Sequence, residues 1–571
     1  MSDSKKTIDT SLGAIPWFIP KKDFDPLGTG PAMQKLSTSL LTHPWLPVKK
    51  SIKSGLEHGK NLFRIIRNPK KNAPEIIGID SRFASEEWTD QRRFALLALT
   101  YLSWRKGIME LVEEVPNVDE HTRGKAKFIT EQIVDMLSPS NNPFLNPEVL
   151  KVARETKGMN FIRGMNNFLD DLRKGSPTPL HSPEGAFVVG GNIANTKGSV
   201  IARNHLCEII HYTPTTEKVQ STPILLIPPW INKFYILDMG EEKSYIQHLL
   251  EHGHQVFCIS WKNPTAEMSQ TTFDDYVTHG ALFARGVIED ISGCAHPSAI
   301  GYCLGGTLTM VAQAYAKGAG KPHFSSITLF ATMVDFCDAG DVRLFIDERS
   351  IAHIEESMKH KGYLDGNEMT STFAYLRSKD LLWSFVINNY YLGNDPKPFD
   401  ILAWNADSTR MPAAMHGWYL RNMYLYNKLK DPNALSIHGV PLNLKSITED
   451  IYIVGAEIDH IAPAETVFQI HKHTNAQTRY VLCSGGHLAG IINPLKKNKG
   501  YYFIHTPQQA PCSISFSAWK EGASKQIGSW WADHKEWLST RTGAKIEAPT
   551  ELGSSSYPAT DNAPGKYVFE Q

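Results

Sequence analysis

One hexapeptide restricts this chain more than any other stretch: Gly301-Tyr302-Cys303-Leu304-Gly305-Gly306. Before it, Ser298-Ala299-Ile300 can end a buried strand, and after it Thr307 to Tyr315 can start a helix. A nucleophilic side chain between small residues at a strand-to-helix junction is carried on a sharp, exposed turn. Glycine lets backbone pass close on both sides, where a Cβ would clash. The chain must therefore contain a strand, a tight elbow and a helix in sequence, and the residue lifted on the elbow is a cysteine.

The flanking pattern says what kind of sheet holds the elbow. Pro223 to Pro229 is an unalternating apolar run, as expected of a central strand covered on both faces. A helix over about 244–252, a strand Gln255–Ser260, a helix near 274–291, the elbow and a strand Ser326–Phe330 follow. Short strands are also expected at Phe187–Val189, Val200–Ala202 and Leu206–Ile210. This alternation implies a doubly wound, mostly parallel sheet, interrupted after 334 and resumed at Ile451–Val454 and Thr478–Leu482. The expected fold is α/β, an α/β-hydrolase fold with an inserted cap and a helical N-terminal region. At 571 residues the chain exceeds one simple core. Its expected parts are a variable, partly disordered lead-in at 1–75 and a helical N-terminal domain at 76–180. A catalytic domain at 181–334 and 446–545, a cap at 335–445 and a flexible tail at 546–571 complete it. Within the lead-in, Val48 to Ile66 reads as a basic amphipathic helix bearing Lys49, Lys50, Lys53 and Lys60.

Two partners follow the elbow in the order this fold requires, nucleophile, then acid, then histidine. Asp459 lies just past the strand Ile451–Val454, and His487 sits in a glycine loop, Ser484 to Gly490, just past Tyr480–Leu482. Both fall at the carboxyl edge of the sheet, where ligands bind in open α/β sheets. Cys303, His487 and Asp459 are the expected catalytic set. Glu457 is the fallback acid, and His460 a supporting site residue. An oxyanion hole needs two donors: the Leu304 amide is one, and the loop Pro228 to Tyr235 should supply the other near Ile231 or Asn232. A thiol attacking a thioester exchanges like for like, and passing the acyl group on to an alcohol is then downhill. The nucleophile thus favours thioester donors and transfer to a hydroxyl.

Composition excludes other classes. Lys+Arg and Asp+Glu both number 59, so no net field draws nucleic acid or an anionic membrane. No apolar run reaches the roughly 18 residues of a membrane span, and Met1 to Lys6 lacks the apolar core of a signal peptide. The seven cysteines form no C-x-x-C pair, which argues against zinc and a disulfide framework and suits a reduced cytoplasm. The six besides Cys303 read as buried small hydrophobes, and His471 and His473 as surface residues rather than a metal pair.

Taken together, these residues resemble the polyhydroxyalkanoate synthases from about 80 to 540. The resemblance rests on Asp80-Ser81-Arg82-Phe83, Leu137-Ser138-Pro139-Ser140-Asn141, Pro228 to Asp238, Ser260 to Pro264, the elbow, Trp404 to Thr409, Trp418 to Asn422 and Gly486-His487. It implies polymerisation of (R)-3-hydroxyacyl-coenzyme A, with 3-hydroxybutyryl the expected unit of a long, single-subunit, class I-like enzyme. Cys303 would carry the acyl group, His487 deprotonate it, and Asp459 complete the set. Asp238 and Trp418, in matching boxes, would shape the site or its cap. No cofactor or metal is implied, coenzyme A being carrier and product. The resemblance also implies a homodimer at the surface of cytoplasmic polymer granules. Lys262 stands where Arg is common in the family. A cysteine-dependent thioesterase, a polyester depolymerase and a non-catalytic granule-coating protein are the rival readings.

Overall fold

The structure, a computed structural model, describes residues 29–43, 45–174, 179, 182–183, 185–369, 378–497, 499–505 and 514–571. Cys512, the first 28 residues and the side chains of Lys49, Lys50 and Lys53 lie outside that description. The chain forms two compact units, one from residues up to Pro183 together with Ser371–Pro398, the other from Glu184–Thr370 and Phe399–Gln571.

The first unit is helical: α1 (Thr29–Thr42), α2 (Trp45–Arg67), α3 (Pro69–Ile76), α4 (Glu86–Thr89), α5 (Arg92–Glu114), α6 (Glu120–Met136), α7 (Pro147–Glu155) and α8 (Met159–Arg173). Helix α7 starts where its sequence dictates, with Pro147 at the first position and the Asn146 side chain accepting from the amides of Glu148 and Val149. Helices α1 to α3 correct the expected lead-in, because α2 packs along α5 and α1 along α6. Ile65, Ala73 and Ile77 join Phe83, Trp88 and Phe94 in one apolar core. Arg82 locks this unit by donating to Asp80 (2.8 Å) and to Asp135 (2.9 Å). Residues 378–398 belong here as well, so the expected cap at 335–445 is not one body. Gly164 of α8 explains the fit: a Cβ there would lie 1.8 Å from the Tyr390 carbonyl oxygen. Asn160 donates to the Tyr391 carbonyl (2.7 Å), and the Tyr390 hydroxyl to Asp171 (2.7 Å).

The second unit is built on one sheet. Its strands are β1 (Gly198–Arg203), β2 (Cys207–Tyr212), β3 (Ile224–Ile227), β4 (Val256–Trp261), β5 (Ser298–Tyr302) and β6 (Ile327–Phe330). After the insertion come β7 (Ile451–Ala456), β8 (Thr478–Cys483), β9 (Tyr501–Ile504), β10 (Ser524–Ile527) and β11 (Asp561–Asn562). The spatial order is β10-β9-β8-β7-β6-β5-β3-β4-β2-β1-β11. Strands β3 to β8 run parallel, and the outer pairings are antiparallel. All four residues of β3 are buried, as the unalternating apolar run requires. The expected strand at Phe187–Val189 does not form; Val189 makes only an isolated bridge to Ile193. Because β3 lies between β4 and β5, the chain reverses its direction of winding there. The loops after β3 and β5 consequently diverge at the carboxyl edge, the position where ligands bind in open α/β sheets.

The C-terminal stretch is not the loose tail its prolines suggested. Strand β11 pairs with β1, and Lys545–Glu547 pairs with Lys218–Gln220. The Glu208 side chain on β2 is fully buried, accepts from the amides of Lys566 and Tyr567 (3.0 Å each) and pairs with Arg203. The Lys233 ammonium donates to the Glu570 carbonyl (2.6 Å), which ties the chain end to the loop after β3. Deleting residues 561–571 should leave the Glu208 carboxylate short of two charge-assisted bonds. That should cost about 3 kcal/mol or more of stability. Thermal denaturation should show a clearly lowered midpoint, and an unchanged midpoint would refute the docked role.

Candidate active site

Cys303 sits between β5 and the helix Leu304–Gly318 with φ 52° and ψ −119°. A non-glycine residue in such a conformation costs about 1–3 kcal/mol and persists only where its surroundings over-determine it. They do so here. The Cys303 amide donates to the Phe330 carbonyl on β6 (2.8 Å), and its carbonyl accepts from the amides of Gly306 and Thr307. The glycines leave no slack: a Cβ on Gly305 would lie 2.0 Å from the Ile227 carbonyl oxygen, and one on Gly306 would lie 1.9 Å from Thr332 Oγ1. The elbow thus presents a half-buried thiol beside the start of a helix. The Leu304 amide, first in that helix, has no helical acceptor and stands at its positive end.

His487 and Asp459 reach the thiol from the loops after β8 and β7. His487 Nδ1 and Asp459 Oδ2 are 2.7 Å apart, and Asp459 Oδ1 accepts from the amides of Ile461 (2.9 Å) and Ala462 (3.0 Å). With Nδ1 committed to Asp459, the other ring nitrogen is the one left to serve Cys303. Tyr302 positions this loop by donating its hydroxyl to the His487 carbonyl (2.8 Å) and stacking on the imidazole. Burial favours neutral imidazole, but the Asp459 carboxylate and the Cys303 sulfur outweigh it and raise His487 well above its ordinary 6.5. Burial likewise favours protonated Asp459, yet His487 and the two amides hold its carboxyl below the ordinary 3.8.

The other expected site residues fall as follows. Glu457 pairs with Lys520 (2.8 Å) and accepts from the Tyr501 hydroxyl (2.7 Å), which leaves the pairing with His487 to Asp459. His460 follows Asp459, half-buried, its carbonyl accepting from the Asp341 amide (3.0 Å). The loop after β3 is stapled to residues 404–409. Trp404 Nε1 donates to the Lys233 carbonyl (2.7 Å), the Thr409 amide to the Ile231 carbonyl (3.0 Å), and the Tyr235 hydroxyl to Asp407 (2.7 Å). Asn232 bridges to Ser408, and its side-chain amide faces the Trp404 and Asn405 carbonyls, so that group is turned away from an oxyanion role.

Asp238 corrects the sequence reading. Buried, it accepts from the Thr196 hydroxyl (2.6 Å), the Thr196 amide (3.2 Å) and the Ser244 hydroxyl (2.6 Å), locking the chain before β1 to the helix Tyr245–Glu251. Trp418 stacks half-buried on Phe273 (5.0 Å). Its neighbour Tyr419, which sequence reasoning did not single out, is buried against Trp230, Phe273 and Phe336. Only its place beside Trp418 in a recognisable box could have signalled it. Two side readings also change. His471 is buried against Phe468, not on the surface, and His473 pairs with Asp335 (3.1 Å). Cys207, Cys258 and Cys483 are buried, while Cys294 is half-buried and Cys337 exposed.

The strand order, the elbow and the chain order of Cys303, Asp459 and His487 are those of the α/β-hydrolase fold, with cysteine at the nucleophile position. The family model described as "alpha/beta hydrolase fold" matches residues 222–494, and that described as "Poly-beta-hydroxybutyrate polymerase (PhaC) N-terminus" matches 79–249. The chain is 38% identical over 499 residues to the poly(3-hydroxyalkanoate) polymerase subunit PhaC of Cupriavidus necator, covering 86% of this chain and 83% of that one. It is 40% identical over 491 residues to the poly(3-hydroxyalkanoate) polymerase of Methylorubrum extorquens, covering 86% and 80%. With poly(3-hydroxyalkanoate) polymerase 1 of Ectopseudomonas oleovorans it shares 32% over 554 residues, covering 95% and 97%. The chain belongs to the poly(3-hydroxyalkanoate) polymerase family.

The pair His487–Asp459 sets a pH signature. Stability from the raised His487 is full below its unfolded value of 6.5 and is lost as pH climbs through the folded value. Stability from the depressed Asp459 is full above its unfolded value of 3.8 and is lost as pH falls through the folded value. The midpoint difference between the parent protein and Asp459→Asn should therefore be greatest between roughly pH 4 and 6.5 and shrink on either side. An equal difference at every pH would show that the two do not titrate as a pair.

Proposed function

We infer that this chain polymerises (R)-3-hydroxyacyl-coenzyme A into polyhydroxyalkanoate with release of coenzyme A, through an acyl-enzyme on Cys303. The observation that carries the reading is a thiol on a strained elbow, followed in the fold's chain order by Asp459 and by a His487 paired with it (2.7 Å), in a chain of the polymerase family. His487 takes the thiol proton, and the thiolate attacks the thioester carbonyl. The bond to the coenzyme A sulfur breaks, and that sulfur leaves with the proton from His487. A 3-hydroxyl then gives its proton to His487 and attacks the Cys303 thioester, forming an ester bond and freeing the thiol. Asp459 stays ionised throughout, stabilising the imidazolium and fixing the ring through Nδ1.

Thioester exchange is close to neutral and ester formation downhill, so the cycle needs no energy beyond that stored in the coenzyme A thioester. The 3-hydroxybutyryl unit is the substrate this reading favours, from the class I-like character of the sequence. Homodimeric action at the surface of polymer granules completes it. Trp45, Leu56, Phe63 and Ile66 stand exposed along α2 and supply apolar contact for such a surface. Among the described residues no helix is long and apolar enough to cross a membrane.

Purified protein given 3-hydroxybutyryl-coenzyme A should release coenzyme A and deposit insoluble polyester, while Cys303→Ala should lower release by at least about 10³-fold. Soluble hydroxyacid as the product would replace the polymerase reading with a thioesterase. Undiminished release by Cys303→Ala would remove Cys303 from the chemistry.

A further inference from the structure

The segment that follows the His487 loop is strongly basic in a chain whose charges sum to zero. Between Ile491 and Trp530 it holds Lys496, Lys497, Lys499, Lys520 and Lys525 against a single acid, Glu521. Lys496 and Lys497 end the short turn Leu495–Lys497 and Lys499 follows, all three exposed. Of the five, only Lys520 pairs with a carboxylate among the described residues, Glu457 at 2.8 Å. Strand β9 turns Tyr501 and Phe503 to one face, which it shares with Lys525 and Ile527, their register partners on β10. There the Lys525 ammonium lies 3.6 Å from the Tyr501 ring centroid and 5.9 Å from that of Phe503, and the Lys520 ammonium 5.6 Å from Phe503. The two rings are half-buried, Lys525 is exposed and Ile527 is 76% exposed. The result is an open platform of aromatic rings topped by positive charge.

Hydrogen bonds tie this platform to both loops that carry the partners of Cys303. The Tyr501 amide donates to Ser484 Oγ (3.0 Å) and the Ser484 amide to the Tyr501 carbonyl (2.9 Å), at the head of the loop that holds His487. The Tyr501 hydroxyl and the Lys520 ammonium both donate to Glu457 (2.7 and 2.8 Å), two residues before Asp459. The platform therefore stands at the carboxyl edge, one strand outward from the histidine loop. Coenzyme A carries its sulfur at one end of a long pantetheine arm and its phosphates at the other. A site for those phosphates belongs beside the catalytic loops rather than in contact with Cys303. Resting on the acyl-enzyme reading above, we propose that Lys525 and Lys520, with Lys496, Lys497 and Lys499 in the turn leading into β9, bind the phosphates of coenzyme A while its thioester reaches Cys303. The aromatic rings hold the Lys525 ammonium in place, and Glu457 holds that of Lys520. Their field draws the anionic donor to this edge and has no such pull on the uncharged ester repeats of the product.

Lys525→Glu and Lys499→Glu, singly and together, are compared with the parent protein on 3-hydroxybutyryl-coenzyme A and on 3-hydroxybutyryl-pantetheine, which has the same thioester and no phosphate. Thiol release gives kcat/KM for each. The expected result is a preference for the coenzyme A thioester that falls about 10-fold in the double variant, through KM rather than kcat, and that shrinks in the parent as salt is raised. Calorimetry with adenosine 3′,5′-diphosphate should show a matching loss of affinity in the variants. A preference within twofold of the parent would overturn the proposal. So would an equal loss on both thioesters, which would assign the lysines to the fold or to the acyl end of the substrate. A parent protein that binds the nucleotide yet releases no thiol from either thioester would support the phosphate site and refute the acyl-enzyme reading instead.

Discussion

The strained turn at Cys303 is the constraint on which the site depends. Its backbone is held at positive φ by the hydrogen bond from its amide to β6 and by contacts with no room for a side chain at Gly305 and Gly306. Those contacts bind the elbow to β3 through the Ile227 carbonyl and to the segment after β6 through Thr332. Three neighbouring strands therefore set the position of one sulfur atom. The same pairing of β3 with β5, Ile227 opposite Gly301, places the loop that begins at Pro228 beside the thiol.

That loop is itself a composite. The Pro228–Tyr235 stretch lies outside the sheet's ladders and runs into a short 3-10 turn at Phe234–Leu237, and several of its backbone groups are satisfied from far along the chain. Residues 404–409 take up its carbonyls, Asp407 its tyrosine hydroxyl, and the Glu570 carbonyl its buried lysine. Burying the Lys233 ammonium with a carbonyl partner pulls its pKa down, with Asp407 opposing the shift. The insertion and the chain end thereby act as struts for this loop.

Much of this was legible beforehand because the chemistry is local. The elbow needs small residues at fixed offsets from a nucleophile, and the acid and histidine each follow a short apolar strand. Position along the chain therefore gave their order and their edge of the sheet. Asp238 shows where that logic stops. It sits in a distinctive box and looks like a site carboxylate, but Thr196 and Ser244 saturate it in the interior. No sequence pattern reveals which hydroxyls will surround an acid. Residues 546–571 misled for a similar reason: their prolines suggested a tail, while the partner that orders them, Glu208, lies more than 350 positions away.

From the sequence alone came the parallel sheet, the cysteine on its elbow and the order of its two partners, because period, turn chemistry and spacing act over a few residues. Tertiary structure alone decided which carboxylate faces His487, where the insertion divides and what anchors the chain end. Those outcomes depend on contacts between segments hundreds of residues apart. The elbow contributes a reactive atom by local rules, and the surroundings that give it direction are assembled only when the chain closes on itself.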